Sequence, residues 1–409
     1  MAIPCEYGDA AYRRDPYEFF GKVHDGDGVH KVPSRNDYLV TRHADLVYVA
    51  EHPELFSNEM PSMTEFEFEG MAQPMLRAVP KYDPPLHTSI RDVAARGFTA
   101  EYLRSYEPLV RSVIDELIDN FAGRGSCEFV SEFAYPLPMR VICRLLGFPI
   151  ERYHDYRRWS DALAVMQDGY FIDMTEDEIY DVKHSVVELQ GFLDDYIRER
   201  IANRGDDMVS AFISAQEEAG ISLEQPQLMG IAQSLFSAGN ETTAHMLGNL
   251  MNVLMTKPDE LRAIEANPSN SRRLIEECLR AESPVHWLPR TCMRDTEISG
   301  VPIPAGARLL LMFGAANRDA CVFEQPAKFD KSRPNLGEHL AFGYGAHFCL
   351  GAPLARREGR MALEALFARL RNIALDPSAP APKFVESVVF RHLERLDLTF
   401  DVREGSARP

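Results

Sequence analysis

The stretch AFGYGAHFCLG, residues 341–351, carries a single cysteine, Cys349, with His347 two positions before it. Three glycines surround this cysteine: Gly343, Gly345 and Gly351. Glycine permits positive φ angles and close backbone approach, so the stretch predicts a tight loop with an open side. A zinc site would need a second ligand at suitable spacing, and a nucleophilic cysteine would need a base, and the stretch offers neither cleanly.

The residues after Cys349, LGAPLARREGRMALEALFARL, have helical periodicity, with Pro353 in the first turn. Cys349 is therefore expected just before a helix N-terminus, where free N–H groups and the helix dipole favour a thiolate. A thiolate in a glycine loop against which a flat group can lie is suited to be the axial ligand of a heme. The alternative is a buried structural cysteine.

The overall composition is that of an ordinary globular protein with an acidic net charge. The 409 residues carry a formal net charge of -18, which argues against broad binding to nucleic acid or anionic lipid. The N-terminal residues lack the apolar segment of a signal peptide, and no apolar run is long enough to span a membrane. Seven scattered cysteines without a C-x-x-C pair indicate reduced thiols. We expect a soluble cytoplasmic protein, monomeric, with one domain over residues 1–409.

Most of the chain has the apolar spacing of helices. The stretches YLRSYEPLVRSVIDELIDNFA and LPMRVICRLLGF are two examples, and a helix is expected from about His43 to Glu51. A longer helix is predicted from near Ser222, where S-L-E-Q resembles a capping box, to about Thr256, before Pro258 starts the next one. Its apolar residues leave little room for a polar face, which predicts a buried central helix.

Signals for β structure are confined to short segments. GVHKVP and DYLVTR predict a hairpin near the N-terminus, TEISG and ARLLLMF predict strands between residues 296 and 313, and RLDLTF predicts a strand near the C-terminus. The sequence thus predicts a mostly α fold with a small β part.

Three further stretches carry polar residues whose meaning depends on Cys349. In EECLRAESPVHWLPR, Glu277 and Arg280 have the spacing of an ordinary helical ion pair. In FSAGNETTAH, an acid and hydroxyls follow small residues inside the apolar helix, which indicates either a helix bend with back-bonded threonines or proton delivery to bound dioxygen. In DPPLHTSIRDVAARGFT, His87 and Arg91 share one helical face, which alone is typical of a solvated surface.

Taken together, these stretches resemble the soluble bacterial cytochromes P-450, which are heme-thiolate monooxygenases. The loop fits the family pattern F-G-x-G-x-H-x-C-x-G, and E-x-x-R and A-G-x-E-T are both intact. The resemblance runs from about His87 to the C-terminal strands. It implies the P-450 fold, a single triangular domain with a long helix over a heme b.

The resemblance also implies roles for individual residues. Cys349 would be the axial ligand of the heme iron and Gly351 part of its loop. Glu277, Arg280 and Arg333 would brace that loop, and Glu241 and Thr242, with Gly239, would form an oxygen groove and relay protons. The residues that would neutralise the heme propionates are His87, Arg91, Arg290 and His347; for Arg290 and His347 an ordinary surface charge is the alternative.

The reaction implied is insertion of one oxygen atom from O2 into a small organic compound. A heme protein that only binds or senses a gas is the alternative from another class, and the costly buried acid Glu241 argues against it. A peroxide-driven oxidase is a further alternative, and the intact acid–alcohol pair argues against that.

No flavin or iron–sulfur motif is visible in the sequence, so electrons are expected from a ferredoxin and its reductase. A basic patch after Cys349, comprising Arg356, Arg357 and Arg360, is the predicted docking face. A helix surface that merely carries arginines is the alternative.

By family analogy, the substrate pocket is expected to be lined by segments 58–81, 166–172, 234–235, 285–288 and 388–390. The candidate lining residues are Met75, Ser234, Leu235, Ala238, Val285, His286, Trp287 and Val389. Methionine and aromatic side chains in these segments, including Met60, Met63, Phe66, Tyr170 and Phe171, favour an adaptable apolar pocket. The acidic run Glu65, Glu67 and Glu69 would repel anions, so a neutral aromatic, terpenoid or polyketide-like compound is preferred over a fatty acid.

Overall fold

The structure is a computed structural model. It describes residues 7–24, 28–33, 35–59, 65–69, 71–74, 77–168 and 174–403. Helices dominate this part of the chain, as the periodicity predicts. The helices are α1 (Ala10–Arg14), α2 (Tyr17–His24), α3 (His43–Glu51), α4 (Leu86–Ala95), α5 (Ala100–Ser105), α6 (Glu107–Ala122), α7 (Pro136–Leu146), α8 (Tyr153–Asp168), α9 (Glu176–Ala202), α10 (Met208–Ala219), α11 (Gln225–Thr256), α12 (Pro258–Ala266), α13 (Ser271–Ala281), α14 (Phe313–Ala316) and α15 (Ala352–Arg369).

The strands are short, and all but one of those described lie before residue 75 or after residue 287. They are β1 (Val29–Lys31), β2 (Asp37–Val40), β3 (Phe56–Ser57), β4 (Glu65–Phe68), β5 (Met71–Pro74), β6 (Ser126–Glu128), β7 (Leu288–Cys292), β8 (Thr296–Ile298), β9 (Val301–Ile303), β10 (Arg308–Leu311), β11 (Leu370–Leu375), β12 (Lys383–Phe384), β13 (Leu393–Arg395) and β14 (Asp397–Val402).

One five-stranded sheet has the order β1-β2-β10-β7-β3. The predicted hairpin forms its edge, with β1 antiparallel to β2, whereas β10 runs parallel to β2. In the antiparallel pair β10–β7, Leu309 lies opposite Arg290, which fixes the position of that arginine within the sheet. A three-stranded sheet, β11-β14-β6, lies near the C-terminus. The mostly α fold with a small β part is therefore confirmed.

The long central helix is confirmed with one correction at its start. It begins at Gln225, with Pro226 in its first turn, and the capping pair is Glu224 and Gln227 instead of the predicted cap at Ser222. The Gln227 Oε1 atom accepts the Glu224 N–H at 2.8 Å. The helix is apolar nearly all round and packs against α7, α8, α9, α13 and α15. This burial makes the few polar residues of α11 costly unless they find partners.

The predicted ends of two other helices agree with the structure. Helix α3 spans His43–Glu51, and α12 begins at Pro258. The stretch expected as one helix from Tyr102 is divided into α5 and α6, and the second of these has Pro108 in its first turn. Among the described residues, no helix combines the length and the hydrophobicity that crossing a membrane requires.

Candidate active site

A cavity of about 730 Å³ lies between the middle of α11 and the loop that carries Cys349. Its lining is predominantly apolar, as in most small-molecule sites. Most of the residues singled out in the sequence reach this one cavity: Cys349, Gly351, His347, His87, Arg91 and Arg290 on one side, and Gly239, Glu241, Thr242, Ser234, Leu235, Ala238, Val285, Trp287 and Val389 around the rest.

The loop around Cys349 has the predicted positive φ at two of its three glycines. Gly343 and Gly345 have φ angles of 72° and 68°, and a Cβ atom at Gly345 would lie 3.0 Å from the carbonyl oxygen of Ala50 in α3. The expectation of positive φ is wrong for Gly351, whose φ is -78° because it caps α15 in a right-handed conformation. The Cys349 N–H donates to the Phe342 carbonyl at 2.9 Å, which closes the loop.

The Cys349 thiol faces the cavity at the N-terminus of α15, as predicted. Burial raises its pKa, and the N–H groups of Gly351 and Ala352, together with Arg91 and Arg356, act against that rise. The helix terminus thus acts in the expected direction, but desolvation outweighs it. A metal ion bound by the thiol would offset this penalty, since a coordinating thiol is deprotonated outright.

Two histidines with unsatisfied ring nitrogens stand beside this loop. The rings of His87 and His347 have centroids 4.0 Å apart, and Asn58 Nδ2 lies 2.8 Å from His347 Nε2. Among the described residues, His87 Nε2 and His347 Nδ1 have no hydrogen-bond partner although both are buried. Buried polar atoms are ordinarily paired, so these two nitrogens indicate a polar ligand.

Positive charges predominate around the two histidines, although Asp83 and Asp92 also act on His87. Arg91 donates to the Phe348 carbonyl at 2.6 Å, and Arg290, which is buried, donates to the Pro289 carbonyl at 2.8 Å. Burial lowers the pKa of Arg290 to about 10, and burial with His87, Arg290 and Arg91 lowers the pKa of His347 to about 3. Lys81 adds another cation to the lining; burial, Arg290 and Arg308 lower its pKa to about 8. Cations depress one another in this way when their anionic partner is missing.

Glu277 and Arg280 form a fully buried ion pair, which the ordinary helix-surface alternative does not predict. Arg280 Nε donates to Glu277 Oε2 at 2.7 Å, and Arg280 Nη2 donates to Glu277 Oε1 at 2.8 Å. Arg333 Nε adds a third contact, at 3.3 Å from Glu277 Oε1. The remaining donors of the two arginines bind backbone carbonyls in residues 317–328.

These contacts reach the cysteine loop through a residue that the sequence patterns did not single out. The backbone carbonyl of Asn317 accepts a hydrogen bond from Arg280 Nη1 at 2.8 Å. Its side chain accepts the Leu340 N–H at 2.6 Å and donates to Ser283 at 2.8 Å. Since Leu340 begins the loop, the buried ion pair acts on the Cys349 loop through Asn317. The only sequence signal was an asparagine in a short apolar segment.

Glu241 is buried in α11 and has several polar partners. Ser160 Oγ donates to its Oε1 at 2.8 Å, Tyr135 Oη lies 3.2 Å from the same oxygen, and His245 Nε2 lies 3.4 Å from Oε2. Burial raises the pKa of Glu241, but these three neighbours outweigh it and the net shift is downward. The expected acid is therefore an ionised carboxylate at the cavity wall.

Thr242 and Gly239 have local contacts as well as positions at the cavity. The Thr242 hydroxyl donates to the Ala238 carbonyl at 2.8 Å, which is the back-bonding alternative, and α11 continues through this point as one helix. Its hydroxyl oxygen keeps lone pairs that can accept a further hydrogen bond. A Cβ atom at Gly239 would lie 3.2 Å from the Ile142 side chain, so close packing against α7 contributes to the choice of glycine there.

The substrate side of the cavity contains few unpaired polar groups. Ser234 donates to the Gly230 carbonyl and accepts the Val79 N–H at 2.9 Å. Trp287 Nε1 donates to the Val388 carbonyl at 3.1 Å, and Arg77 pairs with Glu59 at 2.7 Å. Among the described residues, Gln233 Oε1 is buried without a partner and thus remains available to a ligand.

One candidate pocket residue lies elsewhere. His286 is not part of the cavity lining; its ring packs edge-on against Phe20, with centroids 5.5 Å apart, and contacts Gly314. The prediction is wrong there because neighbouring residues in this extended segment point to opposite sides, and Val285 and Trp287 take the cavity side. Met75, Met60, Met63, Tyr170 and Phe171 lie outside the described residues, as do the side chains of Phe66, Glu65 and Glu67.

The predicted basic patch lines a second, shallow groove. Arg356 pairs with Glu276 at 2.7 Å, Arg360 with Glu364 at 3.0 Å, and Arg357 with Glu107. Arg272 and Arg273, which the sequence did not point to, share the groove and are exposed. The patch is thus more extensive than predicted, and its charge is partly neutralised.

Comparison with known proteins gives a consistent result. Residues 271–400 match the family model described as cytochrome P450. Vitamin D(3) 25-hydroxylase of Pseudonocardia autotrophica is 32% identical over 399 residues, which is 96% of this chain and 95% of that protein. A solved cytochrome P450 from Chondromyces apiculatus is 30% identical, covers 98% of both chains and superposes with a TM-score of 0.85. A cytochrome P450 from Bacillus megaterium in complex with testosterone is 28% identical, covers 96% of this chain and 99% of that chain, and has a TM-score of 0.84.

Proposed function

Since the chain belongs to the cytochrome P450 family, we propose that it is a heme-thiolate monooxygenase that inserts one atom of O2 into a neutral, largely apolar organic compound. The observation that carries this proposal is that the Cys349 thiol and the Glu241–Thr242 pair line one cavity. A thiol to hold iron and an acid to supply protons are thus available to the same ligand.

The family implies a heme, and the residues present fit heme b. Cys349 supplies the iron ligand, and His87, Arg91, Arg290 and His347 supply cationic or neutral donors for two carboxylates. The unpaired nitrogens of His87 and His347 are the specific sign of this fit. When bound, a thiolate-ligated heme supplies the activation of dioxygen.

The chain's own residues would then manage protons and water. Glu241, ionised and buried, can take up a proton and present it to the cavity. The Thr242 hydroxyl oxygen beside it can accept a hydrogen bond, for example from a water molecule that carries a proton into the cavity. The apolar lining around Leu235, Val285 and Val389 keeps bulk water away from this point.

Two other functions are less well supported. A gas sensor would gain nothing from a buried acid that needs Ser160 and Tyr135 to stabilise it. A peroxide-driven oxidase receives both of its protons with the peroxide, so it would have no need of Glu241 or Thr242. The ratio of O2 consumed to product formed separates the three functions, since only the monooxygenase has a ratio near one with a reduced electron donor.

The substrate class follows from the contacts of the lining. Ser234, Trp287 and Arg77 already have protein partners, so none of these three is left over to bind a carboxylate. Gln233 offers one acceptor to a hydroxyl or amide. This pattern supports a neutral compound with few polar groups, such as the steroid bound to the Bacillus megaterium relative.

The test is a titration of the heme-loaded protein with a panel of compounds: neutral steroids, terpenoids and macrolides on one side, and long-chain fatty acids on the other. The optical spin-state shift is the measured signal of binding. Neutral polycyclic compounds should give the shift. Binding of fatty acids alone would overturn the substrate class.

Thiolate ligation is tested separately by reducing the protein under carbon monoxide. The red-shifted Soret band of a thiolate should disappear in Cys349→His and persist in Cys321→Ser, a control at an exposed cysteine outside the cavity. Persistence of the band in Cys349→His would disprove the ligand.

Electrons are proposed to come from an acidic ferredoxin that docks on the groove formed by Arg272, Arg273, Arg356, Arg357 and Arg360. The groove lies at the N-terminal half of α15, the helix that begins beside Cys349. Complementary charge there would raise the association rate more than the affinity.

A further inference from the structure

The polar cluster around Glu241 extends beyond the cavity wall to the protein surface. Tyr135, which precedes α7, places its hydroxyl 3.2 Å from Glu241 Oε1 and donates to Asp161 Oδ1 at 2.7 Å. The Asp161 side chain, on α8, is 53% exposed, whereas that of Glu241 is 9% exposed. An exposed carboxylate, a phenol and a buried carboxylate therefore form one continuous chain of oxygen atoms.

The number of protons in this chain decides what it can do. A phenol has one proton and two acceptor lone pairs, so Tyr135 cannot donate to both carboxylates at once. Its shorter contact is with Asp161, which leaves its lone pairs able to accept a proton from a protonated Glu241. The hydrogen bonds between Asp161, Tyr135 and Glu241 can therefore point in either of two directions. Reversing their direction moves one proton from one carboxylate to the other.

We propose that Asp161 and Tyr135 are the entry route by which protons from solvent reach Glu241. Asp161 takes a proton from water and passes it to Tyr135 Oη as the phenol proton moves to Glu241 Oε1. One proton enters the protein, the tyrosine ends neutral, and no oxidant or reductant is required. This inference rests on the proposed role of Glu241 as proton donor to the cavity.

The charged groups around Tyr135 and Asp161 favour proton transfer from Asp161 toward Glu241. Burial, Glu241 and Asp161 raise the pKa of Tyr135, so the phenol does not accumulate as a tyrosinate. Burial raises the pKa of Asp161 most strongly, the Tyr135 hydrogen bond lowers it, Glu241 raises it and Arg157 lowers it. The net shift of this pKa is upward. Arg157 is the cation that faces both groups, 3.9 Å from Asp161 Oδ2 and 5.1 Å from the centre of the Tyr135 ring.

The other titratable neighbours of Glu241 lead away from this surface. His245 lies on the far side of the carboxylate and stacks on His392, with ring centroids 4.0 Å apart. Burial and His245 hold the pKa of His392 far below its usual value, so this ring does not carry a proton near neutral pH. Ser160 also reaches Glu241 and receives Asn240 Nδ2 at 3.1 Å, but both are fully buried.

The test compares Tyr135→Phe and Asp161→Asn with Glu241→Gln in the heme-loaded protein, driven by a purified ferredoxin and reductase with a compound from the panel that gives the spin-state shift. Positioned acid–base groups contribute about 10²–10⁴-fold, so we expect about a 10²-fold loss for Glu241→Gln and about a tenfold loss for each outer variant. Asp155→Asn, on the same helix and paired with Arg152, is the matched control and should keep the wild-type rate.

Two readouts distinguish a proton route from a structural contribution. The Glu241→Gln/Tyr135→Phe double variant should be no slower than Glu241→Gln alone, because both changes interrupt one route, whereas independent structural losses would multiply. The solvent isotope effect should rise in Tyr135→Phe and in Asp161→Asn. Carboxyl NMR without turnover should show a higher Asp161 pKa in Tyr135→Phe, because the lowering hydrogen bond is gone.

The failures of the two proposals differ. If Glu241→Gln is slow but Tyr135→Phe and Asp161→Asn turn over as the wild type does, the entry route is wrong and the role of Glu241 stands. If Glu241→Gln itself keeps the wild-type rate and isotope effect, both proposals fail. Additive losses in the double variant would also overturn the route.

Discussion

The His87 and His347 rings pack together with centroids 4.0 Å apart and an angle of 34° between their planes, and each has an unpaired buried nitrogen. Two imidazoles this close cannot both be protonated cheaply, and Arg91 and Arg290 lie nearby. The arrangement is therefore unfavourable for the protein alone and favourable once an anion is bound.

The first prediction follows from the sign of these shifts. The pKa of His347 is about 3 in the folded cofactor-free protein, below that of the unfolded chain. Its neutral state therefore contributes stability above the unfolded pKa of ~6.5, and this contribution is lost as the pH falls. His347→Asn should reduce the loss of stability between about pH 7 and about pH 5, measured by urea unfolding of the cofactor-free protein. An unchanged pH dependence would contradict the assignment.

Heme should reverse the sign of this effect. Propionates raise the pKa of neighbouring imidazoles, so heme binding should take up protons and tighten at lower pH. His347→Ala should weaken heme affinity by about tenfold, the value of one hydrogen bond to a charged group. Transfer of heme to an acceptor protein measures this directly, and His43→Ala, at a half-buried histidine outside the cavity, is the control.

A second prediction concerns Thr242. Thr242→Ala should leave electron consumption largely intact but divert oxygen to peroxide, because the hydroxyl oxygen that can accept a hydrogen bond in the cavity is lost. Thr256→Ala removes the same kind of back-bond from the same helix, since Thr256 donates to the Asn252 carbonyl at 2.9 Å, and should leave the coupling unchanged. Equal effects of the two variants would mean that Thr242 only shapes the helix. Thr242→Ser should restore most of the coupling.

A third prediction concerns the buried ion pair. Glu277 is fully buried, so Glu277→Gln leaves the charges of Arg280 and Arg333 without their carboxylate and should cost about 3–5 kcal/mol of unfolding free energy. Asp259 and Arg262 have the same i,i+3 spacing on α12 but are exposed. Asp259→Asn should therefore change stability by less than about 1 kcal/mol. Comparable losses in the two variants, measured by denaturant unfolding, would contradict the burial argument.

The sequence was most informative where chemistry and local geometry coincide. The glycines around Cys349, the helix behind it and the E-x-x-R spacing could be identified because each is a local pattern. Asn317 and Tyr135 could not, because their importance comes from residues far away in the chain: Asn317 connects Arg280 to Leu340, and Tyr135 connects Glu241 to Asp161.

Two errors have equally local causes. The N-cap of α11 is Glu224 instead of Ser222, because Glu224 and Gln227 form the reciprocal capping contacts at this helix end. His286 was expected in the cavity because Val285 and Trp287 reach it, but alternation along the extended segment turns its ring toward Phe20. Patterns in a single sequence give the segment more readily than the side to which each residue points.

The last prediction tests the docking face and uses the pairing that the structure reveals. Arg357 pairs with Glu107, so Arg357→Glu would break an ion pair as well as reverse a charge. Arg272 is exposed in the same groove, and its reversal changes the face more selectively. Arg272→Glu should lower the rate of reduction by ferredoxin several-fold at low salt and flatten its salt dependence, because the attraction is screened beyond about 10 Å at 0.1 M salt. Arg294→Glu makes the same change of charge at an exposed arginine outside the groove, in the turn between β7 and β8, and is the control for net charge. Stopped-flow reduction at several ionic strengths gives both rate and slope. If Arg272→Glu and Arg294→Glu slow reduction equally, only net charge matters; if neither does, the ferredoxin docks elsewhere.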